Sequence, residues 1–316
     1  MNLSGTKRKS VNGITVRAVD NAILGLVCLT SDELPKDDRI SFRTLTRKSL
    51  LSMSYDDRVR KIDEIYRYNI EMLDKAIMYC VNNSIGMYRV SSSMFPFADW
   101  KEDSTFGTLL ELYADELAAV GLVAKLANIR IVIHPDQFCV LSSDSAEIVT
   151  NSIRTLEHHA WLMDAMNLPH SPWAAMNLHG GKKNRPDQLR NTILGLPVGI
   201  RSRLTLENCE YSYDVNALYD VCSSTNVPIL FDFHHEAVHH RYHSYGVDGI
   251  HTAYRRALET WEEPTINLTH LSNGIDGIHD RRHSKLITDF PELAKTVPYC
   301  EIEAKGKELA IFGLTE

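Results

Sequence analysis

The sequence predicts an α/β fold, an eight-stranded (β/α)8 TIM barrel whose last helix is short. Three observations predict it. Short apolar runs alternate with longer amphipathic segments along nearly all of the 316 residues. These runs are almost continuously apolar, as expected for parallel strands that are buried on both faces. Several of them end on an ionisable residue, and the C-terminal strand ends of such a barrel form the face that carries the chemistry.

The first half of the chain supplies four of the strands. AILGLVCLT (22–30) and GMYRVSS (86–92) are apolar runs of strand length, and residues 55–81 between them form a helical pattern. In that pattern Ile62, Ile65, Tyr66 and Ile70 recur at spacings of three and four. Amphipathic helices at 108–126 and 145–166 flank the third strand, IRIVIH (129–134), and AAMNLH (174–179) follows as the fourth.

The second half supplies RLTLEN (203–208), VPILFDF (227–233), TINLTHLS (265–272) and YCEIEA (299–304). Helical segments at 187–194, 213–223, 248–260 and 291–295 precede them in turn, and residues 305–314 leave room for a short last helix. Eight strands separated by seven helices suit a closed parallel sheet. No internal repeat and no linker rich in Pro, Gly or Ser interrupts them. We therefore expect one catalytic domain at 21–316, after a basic, mobile arm at 1–20.

Composition bounds the functional classes. With 44% hydrophobic and 24% charged residues, the chain can bury a large core. Its net charge of −7 argues against a protein that coats nucleic acid nonspecifically, because such binding is driven by Lys and Arg. Bound divalent cations would reverse the local sign, so a DNA enzyme remains open. The six cysteines form no C-x-x-C pair, and there is no secretory or membrane-spanning apolar stretch, so we expect a cytoplasmic protein, nucleoid-associated if prokaryotic.

Ionisable side chains end six of the apolar runs. They are His134, His179, Glu207, Asp232 with His235, His270 and Glu303. Imidazoles and carboxylates that converge on one face are the donor set of a divalent metal cluster, so the pattern predicts a metalloenzyme. Each residue alone has another reading: a salt bridge for Glu207, and a capping or core polar group for Asp232 or His235. His283 is a further candidate ligand, His279 is undecided, and the pairs His158–His159 and His239–His240 are expected to be bystanders.

Six motifs in this order carry a family resemblance. They are HPDQFCVLSS, NLHGGKK, LTLENCE, DFHHE, LTHLSNGIDGIHDRRHSKLI and IEAKGKELA, and they cover roughly residues 23–309. Together they resemble the ultraviolet-damage endonucleases, which are barrels related to abasic-site endonuclease and to sugar isomerases. The resemblance implies a hydrolase acting on phosphodiester bonds. It would nick DNA immediately 5′ to a photoproduct, a cyclobutane dimer or a 6-4 product, and leave a 3′-hydroxyl and a 5′-phosphate.

The resemblance also implies two or three divalent ions, with manganese expected and magnesium, zinc or cobalt open. It assigns three ligand sets: His134, His179 and Glu207; Glu207, Asp232, His270 and Glu303; and His235 with His283. Glu207 and Glu303 are expected to be catalytic, with Glu207 bridging two ions. The implied partner is double-stranded DNA that carries UV lesions, with no membrane and no obligate protein partner.

Two segments are expected to bind DNA. The resemblance implies that Gln137 and Phe138 wedge into the duplex opposite the lesion, whereas the alternative is a polar cap and a core Phe. Lys182, Lys183 and Arg185 follow the turn at 180–181 and are placed to grip phosphates, although solvated surface charge is the competing interpretation. Both segments favour a DNA enzyme over the alternatives on the same barrel. Those alternatives are a sugar isomerase or epimerase, an abasic-site endonuclease and a noncatalytic metal-binding scaffold.

The chain departs from the family pattern at two positions. Leu268 stands where many members have a lysine whose carbamate bridges two metals, so the third metal site is in doubt. Asp280 or His279 is a candidate replacement ligand. Leu26 stands where many members place an aromatic residue after a glycine, which removes one candidate lesion contact.

Overall fold

Ten strands organise residues 7–316, the part of the chain that the computed structural model describes. They are β1 (Arg8–Val11), β2 (Ile14–Val19), β3 (Ala22–Val27), β4 (Met87–Val90), β5 (Arg130–Ile133), β6 (Met176–His179), β7 (Leu204–Glu207), β8 (Ile229–Asp232), β9 (Leu268–Leu271) and β10 (Tyr299–Ile302). Strands β3 to β10 are parallel to their neighbours, and β3 pairs with both β10 and β4. The sheet is therefore closed, and the predicted eight-stranded barrel is confirmed.

Helices surround this barrel. They are α1 (Arg47–Leu51), α2 (Tyr55–Asn82), α3 (Thr105–Glu111), α4 (Ala114–Leu126), α5 (Ala146–Ala165), α6 (Pro186–Gly195), α7 (Val198–Arg201), α8 (Val215–Thr225), α9 (Phe233–His240), α10 (Asp248–Leu258) and α11 (Glu308–Thr315). Side-chain caps fix several of the starts, since Ser54 accepts from the Asp57 amide and Ser145 from the Ile148 amide. The last helix is short, as predicted. None of the helices in residues 7–316 is long and apolar enough to span a bilayer.

The connection between β9 and β10 differs from the prediction. The expected helix at 291–295 is only a 3-10 turn, Leu293–Thr296, and no α-helix lies between these strands in the described chain. The Asn273 carboxamide holds this connection in place, accepting hydrogen bonds from the amides of Thr288 at 2.8 Å and Asp289 at 2.9 Å. Too few residues remain between this pinned loop and β10 for a covering helix, so seven intervening helices is wrong by one.

The segment at 1–20 also differs from the expected arm. Residues 1–6 lie outside the described residues, but β1 and β2 form an antiparallel hairpin, and β2 pairs in turn with β3. The hairpin turns at Asn12 and Gly13, which both have positive φ, as the tightest two-residue turns require. Val16 of β2 packs with Met87, Leu230 and other residues from the start of the barrel strands. The hairpin therefore closes the N-terminal end of the barrel interior and leaves the C-terminal end as the open face.

Candidate metal centre

Strand register places four of the predicted ligands at one level of the barrel. His179 of β6 is paired with Glu207 of β7, and Asp232 of β8 is paired with His270 of β9. All four are at or near the C-terminal ends of their strands, where parallel strands converge. His134 follows β5 directly and Glu303 follows β10 directly, so both reach the same rim. The structure thus brings together the residues predicted at the strand ends.

Glu207 lies at the centre of this group and is 1% exposed. Its two carboxylate oxygens face three imidazoles, with Oε2 at 3.2 Å from His134 Nε2 and 3.3 Å from His270 Nδ1, and Oε1 at 3.1 Å from His235 Nδ1. The Asn177 amide also donates to Glu207 Oε2. A carboxylate that faces ligand atoms on both sides has the geometry of a bridge between two ions.

Around Glu207, the described residues form three groups whose ligand atoms lie within 4.8 Å of one another. The groups are His134, His179 and Glu207; Glu207, Asp232 and His235; and Asp232, His270 and Glu303. The first is the set predicted for one ion. The other two divide the set predicted for the second ion and place His235 beside Glu207 and Asp232 rather than with His283.

Three atoms in this site lack the partners that buried polar atoms normally have. His134 Nδ1 lies 3.0 Å from the carbonyl of Pro135 and must donate to it, so the lone pair of Nε2 faces the Glu207 carboxylate. Among the described residues, His179 Nδ1 and Asp232 Oδ2 are buried without a hydrogen-bond partner. Lone pairs that face one another at such distances need a cation or a proton between them. The donor set therefore fits divalent metal ions.

The charge balance of the site points the same way. Burial, reinforced by the charges of Glu207 and Glu303, raises the pKa of Asp232 to about 7. Burial opposes a charge on His270, yet Glu207 and the carboxylates of β10 raise the pKa of that imidazole to about 10. Both shifts show an excess of negative charge in a cavity that excludes water, which is the field that a divalent cation neutralises.

Two residues of this centre were not predicted. Glu301 accepts a hydrogen bond from His270 Nε2 at 2.6 Å, which turns Nδ1 of that ring towards Glu207 and Glu303. Arg89 of β4 pairs with Glu301 and lies 2.6 Å from Glu303 Oε1. Burial alone would raise the pKa of Glu301, but Arg89 and His270 lower it to about 2. The signals were present, since Glu301 shares the inward parity of Glu303 and Arg89 is the one charge in its strand.

The third predicted ligand set is less compact. The rings of His235 and His283 are 6.5 Å apart, and His283 Nδ1 is 4.0 Å from Glu303 Oε2. Leu268 packs in the layer at the N-terminal end of the barrel. The two candidate replacements have other partners, because Asp280 binds Arg282 and His279 Nε2 donates to the Tyr242 carbonyl at 3.0 Å.

The loop after β5 presents the residues predicted to probe DNA. Gln137 is exposed, and Phe138 is 77% exposed, so Phe138 is not a core residue. The Asp136 side chain accepts from the Phe138 amide at 2.9 Å and shapes a tight turn beneath the ring. Leu26 is completely buried in the barrel core, so it offers no surface contact. An exposed aromatic ring on a braced turn beside the cluster is suited to stacking on a base.

Three basic residues follow β6 on the same rim. Lys182, Lys183 and Arg185 are exposed. The side chains of Lys182 and Arg185 both pair with Asp144, Arg185 at 2.9 Å. Lys183 has no ion pair with the described residues and leaves its charge to solvent. These residues are accessible to a phosphate backbone, and Asp144 holds two of them in one place.

Comparisons with known proteins agree with this architecture. The family model described as "UV-endonuclease UvdE" matches residues 22–316. The chain is 43% identical to the UV DNA damage endonuclease of Nostoc sp. over 91% of this chain and 88% of that protein. It is 40% identical to the UV DNA damage endonuclease of Deinococcus radiodurans over 92% and 94%.

A solved structure, SacUVDE, has the same fold with a TM-score of 0.76 at 23% identity, over 93% of this chain and 96% of that one. The match of the family model extends over the whole barrel and includes every residue of the cluster around Glu207. The chain therefore belongs to the UV-endonuclease UvdE family.

Proposed function

We propose that this chain is a metal-dependent DNA repair endonuclease that nicks the backbone immediately 5′ to UV photoproducts, leaving a 3′-hydroxyl and a 5′-phosphate. The observation that carries the proposal is the ring of three imidazoles around the buried Glu207 carboxylate. Relatives that share at least 40% of their residues with this chain bear the name UV DNA damage endonuclease. Cyclobutane dimers and 6-4 products are the proposed substrates.

The residues assigned to the ions follow from their contacts. His134, His179 and Glu207 would hold one ion, and Glu207, Asp232, His270 and Glu303 a second. His235 and His283 are placed for a third, for which Glu303 is the nearest carboxylate. When bound, divalent ions such as manganese lower the pKa of water and neutralise charge that develops on the phosphate.

The protein groups have separate tasks in this proposal. Glu207 and Glu303 supply the charges around which the site is ordered, and Glu301 fixes the ring of His270. Lys182, Lys183 and Arg185 bind the phosphates that flank the cut. Gln137 and Phe138 enter the duplex, where a poorly stacked photoproduct costs less to displace than normal bases. The enzyme would then recognise distortion of the duplex rather than base sequence.

The direct test is a nicking assay on supercoiled plasmid, irradiated or not, with manganese or with a chelator. We expect relaxation of the irradiated plasmid alone, and only with manganese, because the donor atoms around Glu207 lack the cations that they are arranged to bind. Mapping of the ends should place the cut directly 5′ to the lesion with a 3′-hydroxyl. Cleavage of an abasic oligonucleotide but not of irradiated plasmid would contradict the proposed substrate. Cleavage in chelator would contradict the metal requirement.

Replacing Phe138 by alanine should reduce the preference for irradiated over intact duplex by ~10-fold or more, because stacking on a base contributes about 1–3 kcal/mol. The rate of cleavage at saturating irradiated substrate should change less. The measurement is kcat/KM on damaged and on intact duplex, in parallel with binding of both.

Leu126→Ala is the matched control, because Leu126 is also an exposed apolar side chain, 72% exposed, but ends α4 and leads towards the start of β5. Equal losses on both duplexes in Phe138→Ala would show that the ring has no part in recognition of damage.

A further inference from the structure

A second cluster of metal-ligand side chains lies outside the centre around Glu207. Asp214, His239 and His240 offer ligand atoms that all lie within 4.8 Å of one another. His239 and His240 end α9, and Asp214 is the residue before α8. The sequence suggested bystander histidines here, because nothing in the chain order reveals that Asp214 meets them.

Hydrogen bonds leave the ligand atoms of two of these residues available. His239 Nδ1 lies 2.9 Å from the Cys209 carbonyl and must donate to it, so Nε2 carries the lone pair. Asp214 Oδ1 accepts from the Ala217 amide at 2.8 Å, which caps α8 and leaves Oδ2 for another partner. A histidine whose other nitrogen donates to a backbone carbonyl is oriented as metal-binding histidines usually are.

The third residue has carboxylates at the spacing of metal ligands. His240 Nε2 lies 3.1 Å from Asp214 Oδ2 and 3.3 Å from Glu236 Oε1. Two ligands around a tetrahedral ion with ordinary zinc bonds are about 3.4 Å apart. Glu236 is only 1% exposed, and its second oxygen accepts from the Asn208 amide at 3.1 Å, so this carboxylate cannot turn away.

We propose that Asp214, His239 and His240 bind a structural divalent ion of the zinc class, with Glu236 behind them as a fixed carboxylate. Imidazole together with carboxylate suits zinc among the common divalent metals. The ion would tie the start of α8 to the end of α9. Asn208 links Glu236 to the Asp232 backbone, accepting from the Asp232 amide at 2.8 Å, so the same ion would brace the helix that carries His235.

Zinc binding by the purified chain tests this assignment without any measure of cleavage. The variant His239→Gln keeps a donor for the Cys209 carbonyl but removes the free lone pair, and Asp214→Asn keeps a capping oxygen but removes the carboxylate. The matched control is His243→Gln, which removes an exposed imidazole three residues beyond the cluster. Each protein is dialysed against zinc in the presence of a competing chelator, and bound metal is counted.

We expect His239→Gln and Asp214→Asn each to bind one zinc ion fewer per chain than the parent and His243→Gln. Zinc should also raise the Tm of the parent and the control by more than that of either variant, since an ion bound only by the folded state stabilises it. The same number of ions in all four proteins, with equal Tm shifts, would overturn the proposal and leave His240 as an ion pair alone. Because the centre around Glu207 is intact in every variant, this result is independent of the proposed cleavage.

Discussion

Replacing Glu207 by glutamine is expected to lower the rate of cleavage of irradiated DNA by ~10³-fold or more. The carboxylate faces His134, His235 and His270, and an amide has half as many acceptor atoms and no charge. It therefore cannot bridge two cations. The fold should survive, because glutamine has the same shape and its oxygen can still accept from Asn177. Single-turnover nicking rates and bound manganese should be measured together.

Glu262→Gln is the matched control for this substitution. Glu262 is exposed and follows α10, near the residues that lead into β9 at the opposite end of the barrel. Its variant should cleave like the parent and bind the same number of ions. If Glu207→Gln retained both metal content and cleavage rate, Glu207 would have no part in the mechanism, and the centre would need another bridging group.

Replacing Arg89 by methionine is expected to lower the free energy of unfolding of the metal-free chain by about 3–5 kcal/mol. Arg89 is buried and pairs with both Glu301 and Glu303. Without it, two carboxylates would be left close together in a cavity that excludes water, and an uncompensated buried charge is more costly than the loss of an attraction. Urea denaturation in excess chelator measures the change.

Two comparisons sharpen this prediction. Arg89→Lys keeps the charge but not the two-pronged geometry, so it should lose less stability than the methionine variant. Arg60→Met removes an arginine from an exposed pair with Asp57 and should change stability by no more than ~1 kcal/mol. Manganese should narrow the gap between Arg89→Met and the parent, because bound cations also neutralise Glu303. A methionine variant as stable as the parent in chelator would mean that the carboxylates take up protons at no cost.

The strands and most of the metal centre could be predicted because one rule connects them. In a parallel barrel the C-terminal strand ends share a face, so an ionisable residue at the end of an apolar run is located without knowledge of its contacts. His134, His179, Glu207, Asp232 and His270 were found in this way. The exposure of Phe138 was not determined by this rule, because an aromatic residue after a strand is as often buried as presented.

The parts that escaped prediction depend on contacts between distant segments. Arg89 and Glu301 interrupt apolar strands, and only their meeting across the barrel explains why burial is tolerated. The β1–β2 hairpin was overlooked because basic residues flank its Asn12-Gly13 turn, although that dipeptide is itself a strong hairpin signal. The missing helix before β10 reflects hydrogen bonds of Asn273 that no periodicity encodes.

The hairpin also sets when the protein can finish folding. Arg17 of β2 donates to Thr315 Oγ1 at 2.7 Å, and its guanidinium lies 4.3 Å from the centre of the Phe312 ring. These partners are 298 positions apart, and β3 likewise waits for β10. On a ribosome the barrel therefore stays open until the last helix emerges, roughly 15–60 s after synthesis begins. During that interval the edge of β3 is unpaired on one side, so a nascent chain is more prone to aggregate than the finished protein.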